Sequence, residues 1–130
     1  NCRIIPGVEP SAVKAQLKKV IANPEIEITS VWDTIWSSPS DLSLVMPDVE
    51  AVTTNMWPGV IVVPVMSTGG TDGTFLRAEG IPTFGVSGIF TDVDDNRQHG
   101  KDERIGVKQY FEAQEFMYRL VKKIAGPRLP

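Results

Sequence analysis

Val60-Ile61-Val62-Val63-Pro64-Val65-Met66-Ser67-Thr68-Gly69-Gly70-Thr71-Asp72-Gly73 is the stretch on which the fold reading turns. Its first seven residues form a continuous apolar run, the composition expected of a strand covered on both faces. A glycine-rich turn follows, residues 74–78 read as a short helix, and Gly80-Ile81-Pro82 leads into a further strand at 83–86. A buried strand, a glycine turn and a helix in succession predict an α/β (α+β) chain.

Working outward toward the N-terminus, residues 2–5 are a short apolar run stopped by Pro6-Gly7. Pro10 suits the first turn of a helix, where its missing N–H costs nothing. Val13, Leu17, Val20 and Ile21 then recur at helical spacing until Asn23-Pro24 ends the pattern. Residues 25–29, Glu-Ile-Glu-Ile-Thr, alternate as a half-buried strand does. The polar stretch 37–41 reads as a linker or domain crossing. Residues 42–56 predict a helix with Leu42, Met46, Val49 and Val52 as its apolar stripe, interrupted by Pro47 and closed by Pro58-Gly59. Toward the C-terminus, residues 91–104 form a loop mixing acidic and basic residues with the only histidine. A last amphipathic helix is predicted over 107–124, with Tyr110, Met117, Leu120, Val121 and Ile124 on one face. The whole reads as two unequal parts joined near residue 38.

Composition excludes several classes. The chain has 130 residues, of which 42% are apolar and 22% charged, the balance of one ordinary globular domain rather than a disordered tail. A net charge of −3 gives no basic stripe for nucleic acid. No apolar run approaches the roughly 20 residues of a membrane span. Cys2 is the single cysteine and has no internal disulfide partner. The opening Asn1-Cys2-Arg3-Ile4-Ile5 reads like a strand entered in mid-course, as expected of a processed or truncated piece.

Three places carry chemistry. At Gly69, Gly70 and Thr71 the backbone can approach a ligand closely, with Thr71 or Asp72 available to cap the following helix; a tight turn without a ligand is the plain reading. The turn is neither a P-loop nor a dinucleotide fingerprint, because the following lysine and the glycine spacing are absent. His99 lies beside Asp102 and Glu103, which can orient its ring or hold its loop. A single imidazole makes no metal site, however, since zinc takes at least three protein ligands, so a solvated surface histidine is the plain reading. Arg3 either faces solvent or turns its planar fork to a substrate carboxylate. Trp32, Trp36 and Trp57 read as packing or edge residues. No Gly-x-Ser-x-Gly elbow exists, and Cys2 has no neighbouring base, so nucleophilic catalysis has no candidate.

Taken in order, three stretches resemble a known family. Asn1-Cys2-Arg3-Ile4-Ile5-Pro6-Gly7, the segment 67–77 (STGGTDGTFLR), and His99-Gly100 with Glu103 are similar to motifs of the two-zinc metallopeptidases. That family includes aminoacylases, glutamate carboxypeptidases, carnosinases and succinyl-diaminopimelate desuccinylase. The resemblance implies that residues 1–37 are the second half of a ferredoxin-like lid and dimerisation domain. It implies that 38–130 are the C-terminal segment of a zinc-peptidase α/β sandwich. His99 then matches a metal ligand, Arg3, Gly69, Gly70 and Thr71 match substrate-binding positions, and Glu103 matches a supporting residue. The reaction implied is amide hydrolysis of a small peptide or N-acyl amino acid by metal-activated water in a homodimer, with no nucleic-acid or membrane partner. Two zinc ions would serve a complete site, with at most one ligand from this chain. The general base and remaining ligands have no match here, so the chain alone is expected to be inactive. A non-catalytic dimerisation or binding module of the same fold is the alternative, and a small phosphate- or nucleotide-binding domain on the glycine turn a third.

Overall fold

The computed structural model describes residues 2–31, 36–95 and 97–127. Among the described residues four α-helices form: α1, Pro10–Ile21; α2, Met46–Met56; α3, Gly73–Ala78; and α4, Val107–Ala125. A short 3-10 helix, Leu42–Leu44, leads into α2. The chain divides into two compact units, one of Asn1–Asp41 with Pro64–Phe84, the other of Leu42–Val63 with Gly85–Pro130.

The helices follow their local signals. Pro10 occupies the first turn of α1, preceded by Glu9 in an extended conformation. The helix ends where Ala22 takes the left-handed conformation and donates its N–H to the Lys18 carbonyl at 3.0 Å, with Lys18 and Lys19 beside the negative end of the dipole. Asn23 Oδ1 then accepts the Glu25 N–H at 3.0 Å and turns the chain. Pro47 does not interrupt a long helix but starts α2, because proline is tolerated only where no intrahelical N–H is required. The α1 stripe contributes no buried residue.

The α/β expectation is corrected at its strands: among the described residues none forms at 2–5, 25–29, 60–66 or 83–86. The structure therefore shows helices joined by irregular segments, and neither a ferredoxin-like half nor a sandwich sheet appears among them. The physical reason lies in what a strand needs. Ladder hydrogen bonds come from a neighbour, and apolar side chains on both faces need covering layers. At 60–66 neither is supplied: Ile61 is 84% exposed and Val65 85%, Pro64 has no N–H to give, and the Val60 N–H turns back to the Trp57 carbonyl at 3.1 Å.

The second unit holds the described core. Val45, Val49, Val52 and Thr53 are buried on and before α2, and Ala113, Phe116 and Leu120 on α4, the two helices packing together. The buried face of α4 is thus rotated from the expected one: Tyr110, Val121 and Ile124 are exposed, while Phe116 is 2% exposed. Trp57 stacks on the Phe116 ring at 5.6 Å and meets Phe90 edge-on at 4.8 Å. Arg119 Nη1 donates to Asn55 Oδ1 at 2.7 Å across the helix pair, and Lys123 approaches Asp48 at 3.7 Å.

Gly88 completes this core by having no side chain. Its φ is +64°, and a Cβ there would lie 2.5 Å from Phe116 Cδ1. Gly88→Ala therefore combines a left-handed backbone with overpacking. Its expected cost is roughly 2–4 kcal/mol of unfolding free energy, read from denaturant titration monitored by Trp fluorescence.

Candidate functional site

The sequence-derived positions fall in different units. Arg3, Gly69, Gly70 and Thr71 belong to the first, His99 and Glu103 to the second.

In the first unit Arg3 is exposed on an irregular segment. Around the glycine turn, the Gly69 N–H donates to Ser67 Oγ at 3.2 Å, so that donor is already used within the turn. Neither Thr71 nor Asp72 caps α3 with its side chain; the Thr71 and Asp72 carbonyls instead accept the Thr74 and Phe75 N–H groups at 3.2 and 3.1 Å. Gly73 is a position where packing leaves little room for a side chain. A Cβ there would meet Arg77 Nη1 and Thr83 Cγ2 at 3.0 Å and Thr71 Oγ1 at 3.2 Å. Thr83 is itself tied to Ser40, whose Oγ accepts the Thr83 N–H at 2.9 Å and donates to the Thr83 carbonyl at 3.2 Å. Trp36 donates its indole N–H to the Val8 carbonyl at 3.1 Å. Trp57 sits in the aromatic cluster of the second unit, and Trp32 lies outside the described residues.

In the second unit His99 occupies an exposed loop with φ +65°. This left-handed conformation is uncommon for a residue with a side chain and costs on the order of 1 kcal/mol, so neighbouring contacts must hold it. Several do. The His99 N–H donates to Glu103 Oε2 at 3.2 Å. Behind it, the Gly100 N–H bonds the Arg97 carbonyl at 3.0 Å and the Glu103 N–H bonds the Gly100 carbonyl at 3.3 Å. Glu103 thus holds the loop backbone.

Charged side chains complete the loop. Asp95 accepts Arg97 Nε on Oδ1 and Arg104 Nη2 on Oδ2, the latter at 2.6 Å, while Arg97 Nη1 reaches Asp102 Oδ2. The two guanidiniums, Arg97 first and Arg104 second, hold the Asp95 carboxyl below its ordinary pKa against a small opposing effect of burial. Asp95, Arg97, Glu103 and Arg104 also wall a hollow of about 400 Å³ whose apolar lining includes Phe90 and Ile105. Motif reading did not single out Asp95, Arg97 or Arg104. The alternation of acids and bases across 92–104 was the available signal, but pairings at separations of two, five and nine residues are set by the loop's path.

Zinc would require three or more protein ligands. Among the described residues no group of three His, Cys, Asp or Glu side chains is gathered to hold a metal ion. The described donors do not by themselves make a metal centre. No helix among the described residues is long and apolar enough to cross a membrane.

No family model matches the chain, and no solved structure matches it. It is similar to Probable carboxypeptidase S-like 2 of Dictyostelium discoideum, 26% identical over 126 residues that cover 94% of this chain. The chain spans 24% of that relative's length. The chain is thus distantly similar to part of a carboxypeptidase-like protein.

The depressed pKa of Asp95 has a definite sign in stability. Its folded value lies below the unfolded one, about 3.9. The contribution is therefore complete above that unfolded value and is lost as pH falls through the lower folded value. In urea unfolding between pH 7 and 2, the gap between wild type and Asp95→Asn should stay constant down to about pH 5 and close only in stronger acid. A gap that has already closed at pH 6 would contradict the pairing with Arg97 and Arg104.

Proposed function

We propose that this chain is the C-terminal part of a zinc-dependent peptidase of the carboxypeptidase, dipeptidase or aminoacylase type. The observation that carries the reading is the similarity to the carboxypeptidase S-like protein along 94% of the chain. The His99 loop supports it: the imidazole stands on an exposed turn whose backbone is fixed by Glu103 and by the Asp95 ion pairs. In this reading His99 supplies one metal ligand, and Glu103 keeps its backbone in place. Arg3, with the turn at Gly69, Gly70 and Thr71, faces the carboxylate end of a small peptide or N-acyl amino acid. Residues 1–37 belong to a lid and dimerisation domain of a homodimer, and 38–130 to the catalytic domain. A metal bound at such a centre supplies a water of lowered pKa and a positive charge for the developing oxyanion. The chain's own contribution is one imidazole held on a fixed turn.

The alternative is a non-catalytic dimerisation or binding module of the same fold.

The two separate in one experiment. The complete protein carrying this chain, loaded with zinc, should hydrolyse members of a panel of dipeptides and N-acyl amino acids. His99→Ala should reduce kcat by roughly 100-fold or more and lower the bound zinc by one equivalent. An inert protein, or a variant equal to wild type in both rate and zinc content, selects the binding module.

A further inference from the structure

The loop that carries His99 has no regular secondary structure, and its exposed turn holds a left-handed residue at its centre. Among the described residues, backbone hydrogen bonds close its far side, from Arg97 to Gly100 and from Gly100 to Glu103. Ion pairs join the approaching chain to the departing one. Asp95 and Arg97 precede His99, and Asp102 and Arg104 follow it. Their charges run as an alternating chain, Asp102 to Arg97 to Asp95 to Arg104, crossing from one side of the loop to the other twice.

We propose that Asp95 is the positioning residue of the His99 loop: its carboxylate, shared between Arg97 and Arg104, sets the turn on which the imidazole stands. The inference rests on the peptidase reading for its functional meaning. Its geometry rests on the contacts alone. Among the four charged residues Asp95 is the acid that takes two arginines, one on each of its oxygens. Its side chain and that of Arg97 are half-buried against the hollow lined by Phe90 and Ile105, whereas Arg104 and Asp102 are well exposed. Removing the Asp95 charge therefore takes a partner from both guanidiniums and leaves Arg97 with Asp102 alone, whereas removing Asp102 takes a partner only from Arg97, which keeps Asp95. Glu103 cannot replace it, because its contact is with the His99 backbone N–H. Asp95 is paired with Arg97 and Arg104 and not with the imidazole, so its action on His99 passes through the backbone of residues 97–104.

The test compares the chain with Asp95→Asn, which keeps the shape and removes the charge, and with Asp95→Glu, which restores the charge at a different reach. Amide solvent exchange at His99 and Gly100 is measured by NMR, with the α4 amides as an internal reference for the fold. The strong intraresidue HN–Hα NOE of His99 reports its positive φ. Asp95→Asn should speed exchange at His99 and Gly100 about fivefold or more and weaken that NOE, with α4 exchange within twofold of wild type. Raising the salt concentration should speed exchange in wild type but not in Asp95→Asn, because exposed ion pairs are screened. Asp95→Glu should recover most of the protection. Exchange at His99 in Asp95→Asn within twofold of wild type overturns the proposal, and so does an equal acceleration throughout α4, which would make Asp95 a residue of the fold. Failure of the peptidase reading would appear separately, as unchanged hydrolysis in His99→Ala, and would leave these exchange rates where they are.

Discussion

The seam between α2 and α4 is the contact on which the second unit depends. Phe116 lies at its centre, with Trp57 stacked on its face and Gly88 against its edge. A phenylalanine ring removes a large apolar area from water, and here that burial is concentrated in a few side chains on two helices. The polar ties, Arg119 to Asn55 and Lys123 to Asp48, lie around this apolar strip and fix the register of one helix on the other. Exposed ties of this kind contribute little energy by themselves, so the strip decides stability and the ties decide alignment.

The first unit is held differently. No residue of α1 is buried, and the long-range connections are polar: the Ser40–Thr83 pair and the Trp36 indole on the Val8 carbonyl. Hydrogen bonds supply direction where apolar burial is thin, but each contributes modestly because water competes for the same groups. The apolar side chains at 60–66 remain uncovered within these units. A run of that composition is suited to a sheet with layers on both sides, and the described residues offer neither a neighbour strand nor a cover.

The His99 loop shows a third means of holding structure. Its backbone conformation is unfavourable by itself and its side chains are too exposed for apolar packing, so hydrogen bonds and paired charges determine its shape. That is the arrangement expected of a segment that must present a side chain to solvent and still keep it in one place. These contacts fix the His99 backbone, and the proposed role of its imidazole as a metal ligand rests on the peptidase reading.

The sequence by itself determined the helices and the turn chemistry. Pro10 marks a helix start and Asn23-Pro24 a helix end, whereas Pro47, read as an interruption, opens α2. The long amphipathic segment from 107 became α4, because these signals act over one or two turns of chain. The sequence also singled out His99 and Glu103 as neighbours on a charged loop, since four residues separate them. Tertiary structure decided the rest. Whether 60–66 becomes a strand depends on a partner that local composition does not specify. The face of α4 that is buried depends on what α2 presents to it, which kept Leu120 in the core but placed Ala113 and Phe116 there in place of Tyr110, Val121 and Ile124. The role of Asp95 was invisible for the same reason: a carboxylate becomes a clamp only when the chain's path brings Arg97 and Arg104 to its two oxygens, and that path is a property of the folded loop.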